Sequence, residues 1–251
     1  MVRRIWNFNY MRTNFFLIAL IIFSLSAISF AQSVIVTPKK TTYKRPKPLG
    51  NFKKSFTVIR PQVKGINATL AKKVETTISY EKNFEFSVKE EINEIQWLEE
   101  ANYEVDYNKN GILGVTLSVG GSGAYPSESS KPVIVNLKTG TKVLAKDVFV
   151  KLSGLAAKGE QMQKAEIKKA IVEIKKENPD EENPASLFEH SDFTVKNLDE
   201  FSVSDKGITF WYDYGFPHVI QAFQPEGRYF FSWAQLKPFI GRDGLLAQFI
   251  R

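Results

Sequence analysis

The sequence predicts an α+β fold with an antiparallel sheet. Two segments, residues 103–119 and 201–212, each contain alternating runs joined through a glycine-containing turn, which is typical of β-hairpins. Between them, residues 152–176 carry isoleucines at helical spacing and predict one long helix. Hairpins combined with a few separate helices are typical of α+β domains.

The start of the chain has the pattern of a secretory signal peptide. Three arginines precede nine consecutive apolar residues, 15–23, and Ser29 and Ala31 then place small residues two apart. We therefore predict cleavage after Ala31 and an exported protein, periplasmic or extracellular. The alternative is an uncleaved anchor, because the apolar stretch counted to Phe30 approaches the length of about 20 residues that a membrane span needs.

The absence of cysteine narrows the possible chemistry. The chain of 251 residues has no cysteine, which excludes disulfides, thiolate metal sites and thiol nucleophiles. It also excludes lipid attachment at the cleavage site. The hydrophobic fraction of 43% is that of an ordinary folded protein, so we expect its core alone to hold the domain together.

The net charge of +7 is distributed unevenly along the chain. Residues 32–60 carry eight basic residues and no acidic one, whereas the chain from Pro61 onward has 27 acidic against 23 basic residues. We predict that residues 32–54 form an extended or disordered linker rich in Lys and Pro. The folded part is then mildly acidic, which argues against nucleic acid as its partner. The linker is either solvated or in contact with anionic envelope polymers or lipid head groups.

The first elements of the folded part follow this linker. Residues 56–61 alternate and predict a short strand. Residues 67–79 predict a helix, with Asn67 as its N-cap and apolar residues at spacing four. Residues 87–100 predict a second, acidic helix.

The next elements depend on clear turn signals. In the segment 103–119, Asn110 and Gly111 join two alternating runs, which is a strong hairpin signal. The remaining elements are predicted in this order: a strand over 132–137, the long helix over 152–176, a hairpin over 201–212 that turns at Gly207, a strand over 228–233 and a short helical turn over 234–240.

No motif predicts a metal, a cofactor or a catalytic residue. The two histidines, His190 and His218, lack a second histidine at ligand spacing. The segment GGSGA at residues 120–124 comes within one residue of a nucleophile elbow around Ser122. An elbow requires a helix directly after the serine, but a strand is predicted next, so we interpret the segment as a glycine-rich loop.

The aromatic segment WYDYGFPH, residues 211–218, is the best candidate for ligand binding. Aromatic faces stack on sugars and anchor partner proteins. We keep Asp213, Tyr214 and His218 as candidate ligand-binding residues. Three neighbouring aromatic residues are instead predicted to be core: Phe210, Trp211 and Phe216.

The C-terminal half resembles a known family, the domain of unknown function 3298. This domain forms the end of the ectodomain of lysozyme-sensing anti-sigma factors of the RsiV type. The resemblance lies in four blocks and a preceding segment that is similar to the usual companion domain: residues 103–119, 121–126 (GSGAYP), 136–149, 201–240 (with GITFWYDYGF and YFFSWAQL) and 60–75.

The resemblance implies a curved antiparallel sheet packed against one long helix, with a smaller N-terminal α+β portion. It also implies an extracytoplasmic binding or sensing module with no established catalysis. Tyr125 stands where the family commonly has histidine and is a further candidate ligand-binding residue, and Asn136 stands where it commonly has aspartate. We do not carry over anti-sigma activity, because only a short leader precedes the apolar stretch.

The sequence therefore predicts four regions: a signal peptide (1–31), a basic linker (32–54), an N-terminal companion region (55–100) and an RsiV-like domain (101–251). The predicted function is a non-enzymatic binding or sensing module of the cell envelope that recognises a lysozyme-like protein or a glycan. One alternative is an envelope hydrolase that acts on peptidoglycan or polysaccharide through Asp213 and His218. Another is a structural envelope protein that attaches through its basic segment.

Overall fold

A computed structural model describes residues 33–50, 52–84, 87–123, 125–179 and 182–251, without the side chains of His218 and Val219. The predicted signal peptide lies outside the described residues. Within them the chain forms nine strands: β1 Ile35–Lys44, β2 Ser55–Lys64, β3 Leu98–Lys109, β4 Ile112–Ser122, β5 Pro126–Asn136, β6 Thr141–Lys142, β7 Phe201–Val203, β8 Gly207–Trp211 and β9 Arg228–Ser232.

The same residues form six α-helices, one of which is long. They are α1 Ala68–Thr77, α2 Tyr80–Phe84, α3 Val88–Asn93, α4 Ala145–Val148, α5 Leu152–Glu177 and α6 Trp233–Leu236. Short 3-10 segments complete the fold, and one of them, His218–Phe223, lies in the loop between β8 and β9. None of the described helices has the length and apolar character that crossing a membrane requires.

The strands form two sheets. The first has six strands in the order β1-β2-β3-β4-β5-β6, and the second has three in the order β7-β8-β9. The pairing is antiparallel except between β2 and β3, where Thr57 and Val58 pair in parallel with Glu100 and Ala101. The predicted α+β class is confirmed.

Two cores lie on opposite faces of the six-stranded sheet. On one face, Val74 of α1 and Ile78, which directly follows the helix, pack against strand residues such as Val58 and Leu117. On the other face, Ile112 contributes to a core that includes the three-stranded sheet and the start of α5. The three-stranded sheet thus lies between the long helix and one end of the six-stranded sheet, and leaves the other end of that face open.

The segment predicted as a linker is largely structured, contrary to that expectation. Residues 35–44 form β1, which pairs with β2 along its whole length, and Tyr43 stacks on Phe56 at 5.1 Å between ring centroids. The lysine and proline content did not indicate a strand here, because β1 is held in place by its pairing with β2 rather than by its own composition. The basic residues of this segment are therefore part of the folded domain. From residue 32 onward the chain has 31 basic against 27 acidic residues, so the expectation of a mildly acidic folded part is wrong. The boundaries of the four predicted regions stay a prediction.

A buried arginine stabilises the turn that follows β1. The guanidinium of Arg45, which is 4% exposed, donates to the backbone carbonyl oxygens of Glu91, Lys53 and Leu98. Its Nη2 lies 3.6 Å from Oε2 of Glu91, which is itself buried. Burial lowers the pKa of Arg45, and the carboxylate of Glu91 opposes that shift. The cluster connects the end of β1 to α3 and to the start of β3.

The predicted acidic helix over 87–100 is wrong in its second half. Helix α3 begins with Ser87 as its N-cap and ends at Asn93, and β3 starts at Leu98. Between them Gln96 adopts a φ of 56° and is 1% exposed. The carboxylate of Glu91 accepts a hydrogen bond from the backbone N–H of Leu98, which stabilises this change of direction.

Most other local predictions agree with the structure, but β5 begins at Pro126, six residues before the predicted strand over 132–137. Asn110 and Gly111 have φ values of 59° and 73° and form the turn between β3 and β4, as a two-residue hairpin turn requires. Helix α5 covers the predicted range and one residue more. The glycine-rich segment ends β4 and leads into β5 at Pro126 rather than into a helix, so a nucleophile elbow at Ser122 is excluded.

Candidate functional site

An open cleft lies between β5 and the loop that joins β8 to β9. Its volume is about 540 Å³. The lining is polar and comes from four parts of the chain. These are Glu128, Ser129, Ser130, Lys131 and Pro132 on β5, Glu200 before β7, Trp211 to Asp213 at the end of β8, and Gln221, Gln224, Glu226 and Arg228 from the loop and the start of β9.

Asp213 lies in this cleft and is held by a local turn. Its Oδ1 accepts hydrogen bonds from the backbone N–H of Gly215 at 2.9 Å and from Nε2 of Gln224 at 3.3 Å. Gly215 has a φ of 64°, which favours glycine there. The same Gln224 accepts a hydrogen bond from the backbone N–H of Phe216 through its Oε1. Asp213 thus shapes the loop while its side chain stays exposed to the cleft.

Trp211 and Arg228 form the aromatic and cationic part of the cleft. They are opposite each other on β8 and β9, and the guanidinium carbon of Arg228 lies 3.7 Å from the centroid of the Trp211 ring. The indole N–H of Trp211 donates to Ser202 Oγ at 3.1 Å. Partial burial lowers the pKa of Arg228, and the nearby carboxylates of Asp213 and Glu226 oppose that shift.

Negative charge dominates the cleft and its surroundings. Two further grooves share Glu128 with it: one runs over the face of β3 and β4, and the other lies at the end of β4. The cleft and the two grooves together are lined by seven carboxylates and three cationic side chains. Lys53 pairs with Glu99, and Lys131 donates to the carbonyl oxygen of Asn83. Glu200 pairs with Lys142 at 3.3 Å, so five of the seven carboxylates have no salt bridge within the described part of the chain. We call this continuous region the acidic surface.

Tyr214 belongs to the interior rather than to the cleft. Its hydroxyl donates to Glu166 Oε2 at 2.9 Å, and the Tyr229 hydroxyl donates to the same oxygen at 2.8 Å. The other carboxylate oxygen accepts a hydrogen bond from the backbone N–H of Gly227. Burial raises the pKa of both tyrosines well above the usual value near 10. Both phenols therefore stay neutral donors to Glu166.

The four candidate ligand-binding residues do not form one site. Asp213 lines the cleft, and Tyr214 packs beneath the loop. Tyr125 is 58% exposed in the turn between β4 and β5 and does not line the cleft. The side chain of His218 lies outside the described residues. The structure therefore does not test a pairing of Asp213 with His218, and the ligand-binding assignments stay predictions.

Sequence analysis missed most of the cleft. Phe210 and Phe216 are buried as predicted, but Trp211 is half-buried and faces the cleft. Trp211 lies one position after the inward-facing Phe210, so the alternation of β8 could have indicated its outward direction. No local sequence pattern could have predicted that Glu128 and Arg228 line the same cleft as Trp211, because these residues come from distant strands.

Within the described part of the chain, no three His, Asp or Glu side chains are grouped closely enough to hold a metal ion. The cleft combines carboxylates, amides and a stacked tryptophan. Such groups bind a polar or cationic ligand by hydrogen bonds and charge.

Comparison with known proteins finds similarity in structure alone. No family model matches the sequence, and no curated protein matches it significantly. A crystal structure of a member of the DUF3298 family from Bacteroides fragilis NCTC 9343 matches with a TM-score of 0.54 and 12% identity, covering 88% of this chain and 99% of the other. A DUF3298 family protein from Pseudomonas aeruginosa PAO1 matches with a TM-score of 0.48 and 15% identity, covering 84% and 96%. On the first of these matches, the chain has the fold of the DUF3298 family.

Proposed function

We propose that this protein is an exported, non-enzymatic binding module of the cell envelope whose ligand is a basic protein, such as a lysozyme-like hydrolase. The export signal at residues 1–31 and the sequence resemblance to the RsiV-type sensor ectodomain support the location and the type of module. The fold shared with a DUF3298 family structure is consistent with this proposal.

The main support for the proposal is the negative charge of the acidic surface. Carboxylates outnumber cations there by more than two to one, and the surface spans the cleft and two connected grooves. Complementary charge increases the rate of association and selects among partners. The acidic surface therefore favours a basic protein over an anionic glycan.

The position of Asp213 favours binding over hydrolysis. Its Oδ1 is engaged by Gly215 and Gln224 within the loop. A catalytic carboxylate usually acts in a site from which water is excluded. Asp213 is exposed and has the cation Arg228 beside it in the cleft.

The test measures binding of a basic lysozyme to the purified protein by calorimetry. A triple variant, Glu128→Gln, Asp213→Asn and Glu226→Gln, removes three carboxylates of the cleft. We expect it to raise the dissociation constant at least about tenfold, and we expect added salt to weaken binding to the unsubstituted protein. The matched control removes three exposed carboxylates elsewhere, with Glu94→Gln, Glu189→Gln and Asp243→Asn, and should bind as before.

Two results would contradict the proposal. One is equal loss of binding in the cleft variant and in the control, which would mean that net charge alone, and not the cleft, determines binding. The other is a peptidoglycan-cleaving activity of the purified protein that disappears when Asp213 and His218 are both replaced by alanine. The second result would establish the hydrolase instead.

A further inference from the structure

The open face of the six-stranded sheet carries opposite charges on two strands that flank a neutral one. Directly paired residues of neighbouring strands point to the same face of a sheet. Thr42 pairs with Thr57, and their hydroxyls lie 3.3 Å apart, so both lie on this face. Thr57 in turn pairs with Glu100 on β3.

The alternation of each strand extends this face into three rows. The β1 row consists of Lys40, Thr42 and Lys44, the β2 row of Ser55, Thr57 and Ile59, and the β3 row of Glu100, Asn102 and Glu104. All six side chains of the β1 and β3 rows are exposed. The rows are therefore positive, neutral and negative in order, about 4.8 Å apart.

This pattern is complementary to itself. We propose that two copies of the chain associate face to face through these three rows, related by a two-fold axis that runs along β2 between the stacked sheets. The axis places the β1 row of each copy over the β3 row of the other. Thr57 then lies near its own counterpart, and the two neutral rows meet at the centre. Isologous two-fold contacts of this kind are the commonest way in which identical chains assemble.

The register of the strands makes the charges interdigitate. Lys40 pairs with Ile59, which lies two residues beyond Thr57, so Lys40 is level with Asn102. In the proposed dimer, Lys40 of one copy therefore lies between Glu100 and Glu104 of the second copy, and the symmetry repeats the contact. Sheets stack about 10 Å apart, a distance that a lysine and a glutamate side chain span together. The groove of about 550 Å³ over β3 and β4 leaves room for the lysines. This groove is part of the acidic surface, so the proposed dimer leaves the cleft to the basic ligand.

The outer edge of β1 offers a second copy a poorer contact. Edge-to-edge pairing of two β1 strands would bring Lys39, Lys40 and Lys44 of one copy beside the same lysines of the other. Pro38 also lacks the N–H that a continuous ladder needs. Lysine and proline on an edge strand are known means of preventing such pairing. The charge pattern therefore favours the face over the edge.

The experiment uses two surface variants whose charges are reversed. In the first, Lys40→Glu and Lys44→Glu make the face acidic. In the second, Glu100→Lys and Glu104→Lys make it basic. Sedimentation of the purified protein should show a concentration-dependent dimer that salt weakens. Each variant alone should dissociate at least about tenfold more readily, and a one-to-one mixture of the two should form a dimer again.

Restored association in the mixture distinguishes this proposal from its rivals. Variants that had failed to fold would not recover on mixing, and circular dichroism checks their folding directly. In an edge-to-edge dimer, Lys40→Glu and Lys44→Glu would relieve repulsion and strengthen association, which is the opposite sign. The substitution Lys39→Glu, outside the β1 row, should leave the dimer unchanged.

An unsubstituted protein that stays monomeric, or a mixture of variants that does not associate, would overturn the proposal. The cleft variant described under Proposed function supplies the remaining control. Of its three sites only Glu128 borders the groove over β3 and β4, and none lies in the three rows. It should therefore dimerise normally while losing the basic ligand. Failure of either proposal would thus be visible independently of the other.

Discussion

The carboxylate of Glu166 on α5 accepts a hydrogen bond of 2.8 Å from the hydroxyl of Tyr229 on β9. The same carboxylate binds the Tyr214 hydroxyl and the backbone N–H of Gly227. One side chain thus connects the long helix to both ends of the loop that borders the cleft. The position of Asp213 in that loop depends on this connection, because Tyr214 is its direct neighbour.

Replacing Glu166 by alanine should destabilise the protein and loosen the loop. The two phenol hydroxyls lie 2.8 Å apart, so one can then donate to the other. The second phenol and the backbone N–H of Gly227 lose their acceptor, at a cost of about 2–3 kcal/mol in free energy of unfolding. Urea denaturation measures this loss. The control is Glu173→Ala, an exposed position two turns later on the same helix, where we expect a change within about 0.5 kcal/mol. Equal effects at the two positions would contradict the role of Glu166.

Stability should decrease above about pH 10 because of the buried tyrosines. Burial raises the folded-state pKa of Tyr229, which is 2% exposed, above that of the unfolded chain. Below about pH 10 both states keep the proton, whereas above it only the unfolded chain releases it. The free energy of unfolding then falls by about 1.4 kcal/mol per pH unit for each such tyrosine.

The variant Tyr229→Phe isolates one of these contributions. It lacks the titrating hydroxyl, so its stability should decline less steeply above about pH 10 than that of the unsubstituted protein. Urea midpoints measured in steps between about pH 8 and about pH 11 would give both slopes. Parallel curves would mean that Tyr229 titrates alike in the folded and unfolded chains.

Local signals accounted for the elements that form from neighbouring residues. Asn110 and Gly111 predicted the first hairpin because only a few residue types adopt a positive φ easily. Asn67 predicted the start of α1, where its side chain accepts a hydrogen bond from the backbone N–H of Leu70. These features are fixed within a few residues and can therefore be recognised without knowledge of the fold.

Pairing over long distances accounted for what the sequence did not predict. Strand β1 has the composition of a linker and is ordered by β2 and by the contacts of Arg45 with Glu91. The cleft likewise joins Glu128, Trp211 and Arg228 from separate strands. Asp213 could be identified because it lies next to aromatic residues, whereas the direction of Tyr214 depended on Glu166, which lies 48 residues earlier.

Two glycines of α5 should respond to alanine with opposite signs. A Cβ added at Gly159 would lie 2.5 Å from the ring of Phe193, whereas at Gly154 the nearest atom is 3.5 Å away on Phe239. Alanine favours a helix over glycine by up to about 1 kcal/mol. Gly154→Ala should therefore stabilise the protein slightly. Gly159→Ala should destabilise it by about 1–3 kcal/mol, because the buried Phe193 must move.

Thermal unfolding of the two variants side by side provides the measurement. They share the residue change and the helix, so the difference between their midpoints reports the contact with Phe193. Replacing Phe193 by the smaller leucine makes room for the added Cβ. Gly159→Ala should therefore lower the melting temperature less in a Phe193→Leu background than in the unsubstituted protein. A Gly159→Ala protein as stable as Gly154→Ala would show that the ring moves aside at no cost.

Removing Arg45 should be among the most damaging single changes in the N-terminal part of the fold. Its guanidinium satisfies three carbonyl oxygens and lies near the buried carboxylate of Glu91. Arg45→Ala leaves that carboxylate without a cation, and breaking a buried pair from one side costs about 3–5 kcal/mol. Lys39→Ala, an exposed position on β1, should change stability by less than about 0.5 kcal/mol.

Because Arg45 also orders the end of β1, hydrogen exchange at the β1 amides should accelerate in Arg45→Ala well beyond exchange in α5. Uniform acceleration throughout the chain would instead mean that β1 unfolds only together with the whole domain.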